Sequence, residues 1–510
     1  MRKIAKFVFS RMVIGGLLVV LQLVWFLKFL LHVGQYHEVL GTIMTAYSMI
    51  VVIYIINKED NPAYKLAWVI PILAFPIFGG VLYLYLGNKK PSKRLRRILD
   101  HEFRETSFLL MQKKSVQDAL FRKDPVAGGQ SHYISDYAGY PIYKNTKTIY
   151  FSSGEACYER VLEELKKAEH YIFMEYFIVK DGQMLEEIVE ILTEKASQGV
   201  DVRFMYDDMG CISSLDPSFG ARMKKRNIET LCFNPFVPFI STAWNNRDHR
   251  KIMIIDGHTA FTGGFNLADE YINREERFGY WKDSGLMLQG EAVWSFTVMF
   301  LQVWNPLKKQ KEDYLKFRPH RHIELPMNQK GWVQPYSDTP LDKEIVGENV
   351  YLNLVNGASR YLYLTTPYLI IDNELMTALC LAAKRGVDVR ILMPGIPDKK
   401  MVFLVSQSYY QKLAEAGVKI YEYTPGFVHA KNVVCDDKIA TVGTINWDYR
   451  SLYLHFECGV FLYESDTVAD IYNDFIETLK ESRRITREMC KKPIPMRLLQ
   501  SILRVFSPLL

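Results

Sequence analysis

The chain has 510 residues, of which 49% are hydrophobic, and its formal net charge is +6. This length exceeds what one ordinary hydrophobic core can organise, so we expect several domains. The small net charge argues against a dedicated nucleic-acid binder and is compatible with an anionic membrane surface. The seven cysteines are scattered and form no C-x-x-C pair, which predicts reduced thiols in a cytosol-like compartment and no zinc site.

Three apolar stretches open the chain, and they predict a membrane-embedded region. They cover residues 12–31, 39–56 and 66–86. Each approaches the roughly 20 apolar residues that a spanning helix needs. Basic residues before the first stretch and the basic run at 89–97 both favour the cytoplasmic side, and three full spans cannot satisfy both ends. One segment is then re-entrant or interfacial, or the charge rule fails, and the number of spans stays open. The third stretch, broken by Pro71 and Pro76, suits a re-entrant segment, and the first is a weaker span because it contains Lys28.

The remainder of the chain repeats a strand–helix–strand pattern. The elements are predicted at 170–179, 184–199 and 200–208 in the first half and at 360–370, 374–386 and 387–395 in the second half. Such a unit implies a parallel strand pair with a right-handed crossover. GVDVR occurs in both copies, and Gly199 and Gly386 stand where each helix is expected to end. The sequence thus predicts an α/β fold with two similar domains.

A shorter repeat carries the candidate chemistry, because HRKIMIID at 249–256 recurs as HAKNVVCD at 429–436. The matched pairs are His249 and His429, Lys251 and Lys431, Asp256 and Asp436, Gly263 and Gly443, and Asn266 and Asn446. Gly264 in the first copy is Thr444 in the second. Taken alone, the first copy also suits an edge strand with a solvated cationic face. A duplication that keeps these polar residues while the core residues drift is harder to explain by packing, and it favours a functional site.

The spacing within the motif separates its members. In an extended strand, each histidine and the lysine two residues later point to the same face. Asp256 and Asp436 stand five residues beyond their lysines and so point to the opposite face. The aspartates complete the motif, but a structural or indirect role suits them better than direct phosphate chemistry.

The pattern H-x-K-x4-D-x6-G-[GST]-x-N, present twice, resembles the phospholipase D superfamily. The whole layout resembles the bacterial cardiolipin synthases, whose membrane segment is similar to NPAYKLAWVIPILAFPIFGGVLYLYLG and whose second motif is followed by a stretch similar to NWDYRSLYLHFECG. The resemblance implies two phospholipase D-like repeats, with mixed sheets flanked by helices and a pseudo-two-fold relation, after an N-terminal helical membrane region. It also implies a multi-pass protein of the bacterial cell membrane with its catalytic part on the cytoplasmic side.

The resemblance implies a transphosphatidylation, in which two phosphatidylglycerol molecules give cardiolipin and glycerol through a phosphatidyl-histidine. His249 is then expected to attack phosphorus and His429 to act as acid and base, although the near symmetry of the motifs leaves this choice open. The expected partners are phosphatidylglycerol and anionic membrane lipid, with no nucleic acid, no cofactor and no metal. The oligomeric state and the second lipid donor stay open.

The remaining site residues follow from the needs of phosphoryl chemistry. Lys251 and Lys431 are expected to neutralise the phosphoryl oxygens. Asn266 and Asn446 are expected to donate amide hydrogens to the same oxygens. Each histidine also needs an acceptor that fixes its tautomer. The candidates for that role are Asp283, 34 residues after His249, and Glu457, 28 residues after His429; the alternative is an ordinary acid at a strand end.

The sequence therefore divides into five parts. They are a membrane-embedded region at 1–88, a basic and polar linker at 89–145, two phospholipase D-like domains at 146–320 and 321–490, and a C-terminal amphipathic segment at 491–510. The last segment suits an interfacial helix on anionic lipid or a helix docked on the protein's own core. The aromatic loop at 232–244 suits an acyl groove, a bilayer contact or a packed surface loop.

Four other functions compete with the synthase interpretation. A hydrolase would pass the phosphatidyl group to water, and another phosphatidyltransferase would pass it to a different alcohol. A nuclease is known in the superfamily, but the apolar N-terminus and the modest charge count against it. A non-catalytic membrane scaffold would not need two intact motifs.

Overall fold

The computed structural model describes residues 38–87, 91–236, 245–319 and 329–509, together with a few positions between 13 and 28. The first predicted apolar stretch, 12–31, lies largely outside the described residues, as does the part of the aromatic loop from 237 to 244.

The N-terminal region is helical. Its helices are α1 (Glu38–Asn57), α2 (Pro62–Ala74) and α3 (Pro76–Leu86). The third predicted apolar stretch is interrupted at Phe75, where the backbone leaves the helical region before Pro76 begins the next helix. Within the described ranges, no helix combines the length and the apolar character needed to cross a membrane. The multi-pass arrangement therefore stays a prediction.

The segment predicted as a linker contains three helices. They are α4 (Lys93–Glu105), α5 (Lys114–Lys123) and α6 (Pro125–Asp136). Leu99, Leu120 and Ile134 are fully buried in the main hydrophobic core. Only one face of each helix is buried, and the other faces carry the charged residues. The polar composition of the segment therefore does not reveal that it is helical and packed on the core.

The first catalytic half is built on a seven-stranded mixed sheet. Its strands are β1 (Thr146–Phe151), β2 (Tyr171–Tyr176), β3 (Asp201–Asp207), β4 (Glu229–Phe233), β5 (Ile252–Ile255), β6 (Thr259–Gly263) and β8 (Gly285–Gly290), and the short β7 (Tyr280–Lys282) lies outside this sheet. Its helices are α7 (Gly154–Lys166), α8 (Gln183–Ser197), α9 (Asp208–Cys211), α10 (Phe219–Lys224) and α11 (Val293–Lys308). The strand order is β1-β8-β6-β5-β2-β3-β4.

The second half repeats the plan with an eight-stranded sheet. Its strands are β9 (Trp332–Asp338), β10 (Tyr361–Thr365), β12 (Asp388–Pro394), β13 (Lys419–Tyr423), β15 (Asn432–Cys435), β16 (Ile439–Gly443), β18 (Glu457–Tyr463) and β19 (Ser482–Ile485), and the short strands are β11 (Leu369–Ile370), β14 (Gly426–Val428) and β17 (Trp447–Asp448). Its helices are α12 (Val346–Gly357), α13 (Asn373–Lys384), α14 (Lys400–Ala416), α15 (Tyr449–Tyr453), α16 (Thr467–Lys480), α17 (Arg487–Cys490) and α18 (Ile494–Phe506). The strand order is β19-β13-β12-β10-β15-β16-β18-β9.

The predicted strand–helix–strand units and the two-repeat α/β fold are confirmed. Strands β2 and β3 pair in parallel on either side of α8, and β10 and β12 do so on either side of α13. Gly199 and Gly386 follow these helices with φ of +93° and +96°, a conformation that glycine adopts without a Cβ penalty.

Two short contacts join the halves next to the motif histidines. Strand β14, which ends one residue before His429, pairs in parallel with β7 of the first half. Asp248, one residue before His249, forms an isolated parallel bridge with Phe456 of the second half. In both motifs, the residues just before the histidine therefore pair with the backbone of the other half.

The C-terminal helix α18 docks against α14 and α2. Gln500 is buried and its side-chain amide donates to the carbonyl of Leu404 at 3.1 Å, while Leu503 packs on the main core. Ile494, Leu498 and Ile502 stay exposed on the outer side. One face of α18 thus packs on the protein, and another apolar face remains accessible.

Candidate active site

The two motif histidines lie in extended segments that immediately precede β5 and β15, not inside those strands. The amide of His249 donates to the carbonyl of Phe456 at 2.9 Å, and the amide of His429 donates to the carbonyl of Lys282 at 2.7 Å. In both cases the accepting carbonyl belongs to the opposite half. Both histidines are buried, with 7% of their surface exposed.

Each histidine is hydrogen-bonded to the carboxylate of the opposite half. The Nδ1 of His249 lies 2.9 and 3.0 Å from the two carboxylate oxygens of Glu457. The Nδ1 of His429 lies 2.8 Å from Oδ2 of Asp283. Because a carboxylate accepts, Nδ1 carries the proton in each ring and Nε2 keeps its lone pair for the site. The structure brings both nominated acids to the histidines, and the pairing crosses between the halves.

Hydroxyl groups surround Glu457. Thr444 donates its hydroxyl to Oε2, and Ser451 donates its hydroxyl to Oε1, both at 2.5 Å. With His249, three donors hold this carboxylate, which fixes its position.

Asp283 has a different surrounding. Its Oδ1 accepts from the amide of Ser284 at 2.9 Å, and the indole nitrogen of Trp281 lies 3.4 Å from Oδ2. Gly264 stands where the second half has Thr444, and a Cβ at Gly264 would come within 2.0 Å of Asp283 Oδ1. The close approach of the carboxylate therefore requires glycine at this position.

The rings that contact the two histidines also differ. The ring of His249 lies 5.0 Å from that of Phe177 and 5.3 Å from that of His455, measured between centroids. The ring of His429 lies 5.5 Å from the rings of Tyr271 and Trp281 and 5.8 Å from that of Phe427. His455 and Trp281 each stand two residues before the carboxylate of their own half. A buried imidazole and an indole thus occupy equivalent places.

Burial and mutual repulsion control the charge of the motif lysines. Lys251 and Lys431 each donate to the carbonyl of the histidine two residues earlier. Burial lowers the pKa of Lys251 to about 8, although Glu457 opposes this shift. Burial also lowers the pKa of Lys431 to about 7, with Asp283 opposing and Lys251 adding to the shift. The two carboxylates therefore compensate the burial of the ammonium groups only in part.

The histidines follow the same logic. Burial, followed by the charge of Lys251, holds the pKa of His249 well below its ordinary value. Burial and Lys431 lower the pKa of His429 to about 4, against the opposing effect of Asp283. Both imidazoles are neutral in this state, and an anion bound between the lysines would raise both pKa values.

The two motif asparagines belong to the surrounding scaffold. The Oδ1 of Asn266 accepts from the amide of Ile178 at 3.0 Å, and its side-chain amide donates to the hydroxyl of Tyr271 at 2.8 Å. The backbone amide of Asn446 donates to the hydroxyl of Ser451 at 2.8 Å. The Oδ1 of Asn446 is buried and accepts no hydrogen bond from the described residues. Each asparagine keeps at least one amide hydrogen for another acceptor.

The motif aspartates face away from the histidines. Asp256 accepts from the backbone amides of Glu169, His170 and Tyr171 at 2.8 Å each. Asp436 accepts in the same way from the amides of Ser359, Arg360 and Tyr361. Both aspartates have positive φ, 51° and 54°, at the turn that follows their strand. They bind the amides at the start of β2 and β10 rather than groups of the site.

Sequence reasoning missed Ser451, Thr444, His455, Trp281 and Tyr271 as members of the site. A signal existed for one pair of them. Trp281 and His455 hold the same offset from the nominated carboxylates in YWKD and LHFE. The hydroxyl donors gave no comparable signal, because their role depends on contacts with Glu457 that form only when the second half folds.

Comparisons with known proteins agree with this architecture. The family model described as cardiolipin synthase, PLD-like domain, matches residues 161–293 and 351–479, and the model described as phospholipase D-nuclease N-terminal matches 46–88. An uncharacterised protein of Streptococcus mutans serotype c is 45% identical, over 90% of this chain and 99% of that protein. A cardiolipin synthase of Geobacillus sp. strain WCH70 is 35% identical, over 92% of this chain and 93% of that protein.

The fold is also found in a crystal structure. The phosphatidylserine synthase of Haemophilus influenzae superposes with a TM-score of 0.55 at 14% identity, over 71% of this chain and 93% of that one. This likeness supports the fold alone. The repeated domain match and the extended identity lead to one conclusion: the chain belongs to the cardiolipin synthase family of phospholipase D-like phosphatidyltransferases.

Proposed function

We propose that this enzyme is a cardiolipin synthase that transfers a phosphatidyl group from one phosphatidylglycerol to the glycerol hydroxyl of another. The observation that carries the proposal is the site itself. Two buried histidines, each held by a carboxylate of the opposite half, share one site with two buried lysines. This set supplies a nucleophile, a proton carrier and a charge for an anionic phosphodiester without further groups.

In the first step, Nε2 of His249 attacks the phosphorus of one phosphatidylglycerol. The bond between phosphorus and the head-group glycerol oxygen breaks, and His429 gives its Nε2 proton to that oxygen. Glycerol leaves, and the lipid phosphate is now bonded to His249. The ring of His249 gains positive charge in this step, which the carboxylate of Glu457 stabilises through Nδ1.

In the second step, the free head-group hydroxyl of another phosphatidylglycerol attacks the same phosphorus. His429 accepts the hydroxyl proton, the bond between phosphorus and nitrogen breaks, and His249 is regenerated. Lys251 and Lys431 neutralise the phosphoryl oxygens in both steps. The bound phosphodiester also offsets the repulsion that keeps His429 neutral, so that His429 can carry the proton when substrate is present.

The different surroundings of the two histidines support this division of roles. His429 must carry a proton before the reaction begins, and the electron-rich rings of Tyr271 and Trp281 lie beside it, whereas the corresponding neighbours of His249 are Phe177 and the imidazole of His455. His249 must be neutral and fixed in direction, and its carboxylate is held by two hydroxyl donors.

We further propose that the enzyme works at an anionic membrane through α1, α2 and α18. Exposed apolar side chains lie on all three helices. On α1 and α2 they are Val39, Ile43, Ile50, Ile53, Leu66, Ile70 and Leu73, and on α18 they are Ile494, Leu498 and Ile502. The exposed Arg483, Arg484 and Lys491 precede α18 and suit an anionic lipid surface.

The decisive experiment supplies purified full-length protein with phosphatidylglycerol labelled in the lipid phosphate and, separately, in the head-group glycerol. Labelled cardiolipin and one free glycerol per cardiolipin are expected. Phosphatidic acid as the main product would show a hydrolase and contradict the proposed synthase activity. Absence of turnover would contradict both activities.

Variants connect that reaction to the histidines. His249→Ala and His429→Ala should each lower cardiolipin formation by roughly 10⁴-fold or more, since nucleophile and proton carrier are both required. His132→Ala is the matched control, because His132 is exposed on α6 beside Asp136. Turnover retained in either motif variant would refute the two-histidine mechanism.

A further inference from the structure

The first half-site contains three potential metal ligands, whereas the second contains only the counterparts of two, His429 and Asp283. His249, His455 and Glu457 are all buried, and each can bring a ligand atom to within 4.8 Å of the others. At the equivalent place beside His429 the chain has Trp281, whose indole nitrogen donates but cannot ligate.

His455 lies in this cluster without a satisfied Nδ1. That atom is buried and makes no hydrogen bond to the described residues. It lies 3.5 Å from Oε1 of Glu457, which is longer than a normal hydrogen bond. A buried imidazole nitrogen directed at a carboxylate, next to a second imidazole, is an arrangement that a cation would complete.

We propose that His249, His455 and Glu457 form an inhibitory site for a divalent transition-metal ion of the Zn²⁺ type. Two imidazoles and one carboxylate are a ligand set that Zn²⁺ binds in proteins. The two Nδ1 atoms lie 2.9 and 3.5 Å from Oε1. Ligands at normal Zn²⁺ bond lengths in a tetrahedron are separated by about 3.4 Å, which both distances approach, and all three ligand atoms lie within 4.8 Å of one another. The ion is an inhibitor in this proposal, not a cofactor.

The inhibition has a specific cause, and this part rests on the proposed function. Without the ion, Nδ1 of His249 donates its proton to Glu457, and Nε2 keeps the lone pair that attacks phosphorus. A neutral imidazole has a single N–H proton, so an ion bound at Nδ1 requires the tautomer in which that proton is on Nε2. The attacking atom then has no free lone pair, although substrate can still reach the lysines.

The binding test does not depend on activity. Full-length protein in detergent is titrated with Zn²⁺ by calorimetry as wild type, His455→Asn and His132→Asn. We expect one site in the wild type and in His132→Asn, and a loss of affinity of about 100-fold in His455→Asn. Equal affinity in the wild type and His455→Asn would overturn the proposal, as would the absence of any binding.

The activity test follows the same variants, each compared with its own rate in the presence of a chelator. Zn²⁺ should inhibit the wild type reversibly and leave His455→Asn uninhibited at the same concentration. His455→Trp, which copies the residue of the other half, serves as a second variant if His455→Asn does not fold. Zn²⁺ binding without inhibition would overturn the inhibitory role. Loss of cardiolipin formation in all samples, with normal Zn²⁺ binding, would count instead against the proposed function.

Discussion

The two half-sites contain the same reacting pair but support it in different ways. Around His249 the support is polar: Glu457 holds the ring and is itself held by Thr444 and Ser451. Around His429 the support is tight and aromatic, with Asp283 pressed against Gly264 and the rings of Tyr271 and Trp281 alongside. The duplication kept histidine and lysine in place while the surroundings diverged, which is the pattern expected when two equal residues take unequal roles.

Among changes to the surroundings of the two histidines, the largest expected effect comes from removing the charge of either carboxylate. Glu457→Gln should abolish the attack by His249, and Asp283→Asn should impair proton transfer by His429. Each should lower cardiolipin formation by roughly 10²–10⁴-fold, since the histidine loses its orientation and the stabilisation of its charged form. Rapid quenching with lipid labelled at phosphorus separates the two steps.

Only Glu457→Gln should prevent labelling of the protein. Asp283→Asn should still form some labelled protein when the lipid has a good leaving group, because that group needs no proton. The reverse result would exchange the roles of the two half-sites.

Exchange of the small residues beside the carboxylates should give the next largest effect. Gly264→Thr places a Cβ against Asp283 and should cost about 10²-fold in activity, since His429 loses its acceptor. Thr444→Gly removes one of three donors to Glu457 and should cost only about 10-fold. Activity assays together with thermal unfolding separate these effects from general loss of structure. Equal losses of activity in both variants would contradict the proposal that the two half-sites support their histidines in different ways.

A smaller effect is expected in the number of protons that the enzyme takes up when it binds an anion. Burial lowers the pKa of Lys431 to about 7 and that of Lys251 to about 8, so Lys431 loses its proton at the lower pH in the free enzyme. An anion that binds between them raises both pKa values, so binding takes up protons chiefly at Lys431. Calorimetry of sulfate binding in buffers of different ionisation enthalpy measures this uptake.

The uptake should fall in Lys431→Arg, because arginine stays charged, and persist in Lys251→Arg. As pH rises further, both lysines lose their protons and anion affinity should decline. An uptake that vanishes equally in both variants would mean that the lysines are equivalent.

The smallest effect on catalysis is expected from the motif aspartates. Asp256→Asn leaves backbone amides at the start of β2 partly unpaired and should lower the unfolding temperature by about 2–6 °C. Asp436→Asn should lower it less, because Asp436 is less buried. The rate at saturating lipid should change little in either folded variant. A strong loss of rate with normal stability would give these residues a direct catalytic role.

Local patterns carried much of the fold. The strand–helix–strand units were predictable because their apolar periodicity is local, and the motif repeat was visible at fixed offsets. The helices between 93 and 136 were not, since their charged faces mask a narrow buried stripe that includes Leu99 and Leu120.

Contacts between the halves were beyond sequence reasoning. The exchange of carboxylates depends on the β14–β7 pairing and the Asp248–Phe456 bridge, which join segments far apart in the chain. The sequence gives the offset of His455 from Glu457, but only the structure shows that the ring of His455 lies beside that of His249.

Because each histidine is held by a carboxylate of the opposite half, the site also has a particular behaviour while the protein is being translated. His249 meets its partner across 208 residues, so a growing ribosome-bound chain carries the first motif long before Glu457 has been made. Until then the imidazole lacks its acceptor and the second lysine is missing. An unfinished or truncated chain therefore cannot cleave the lipids that it touches, and the capacity to break a phosphodiester appears only when nearly all of the polypeptide has folded.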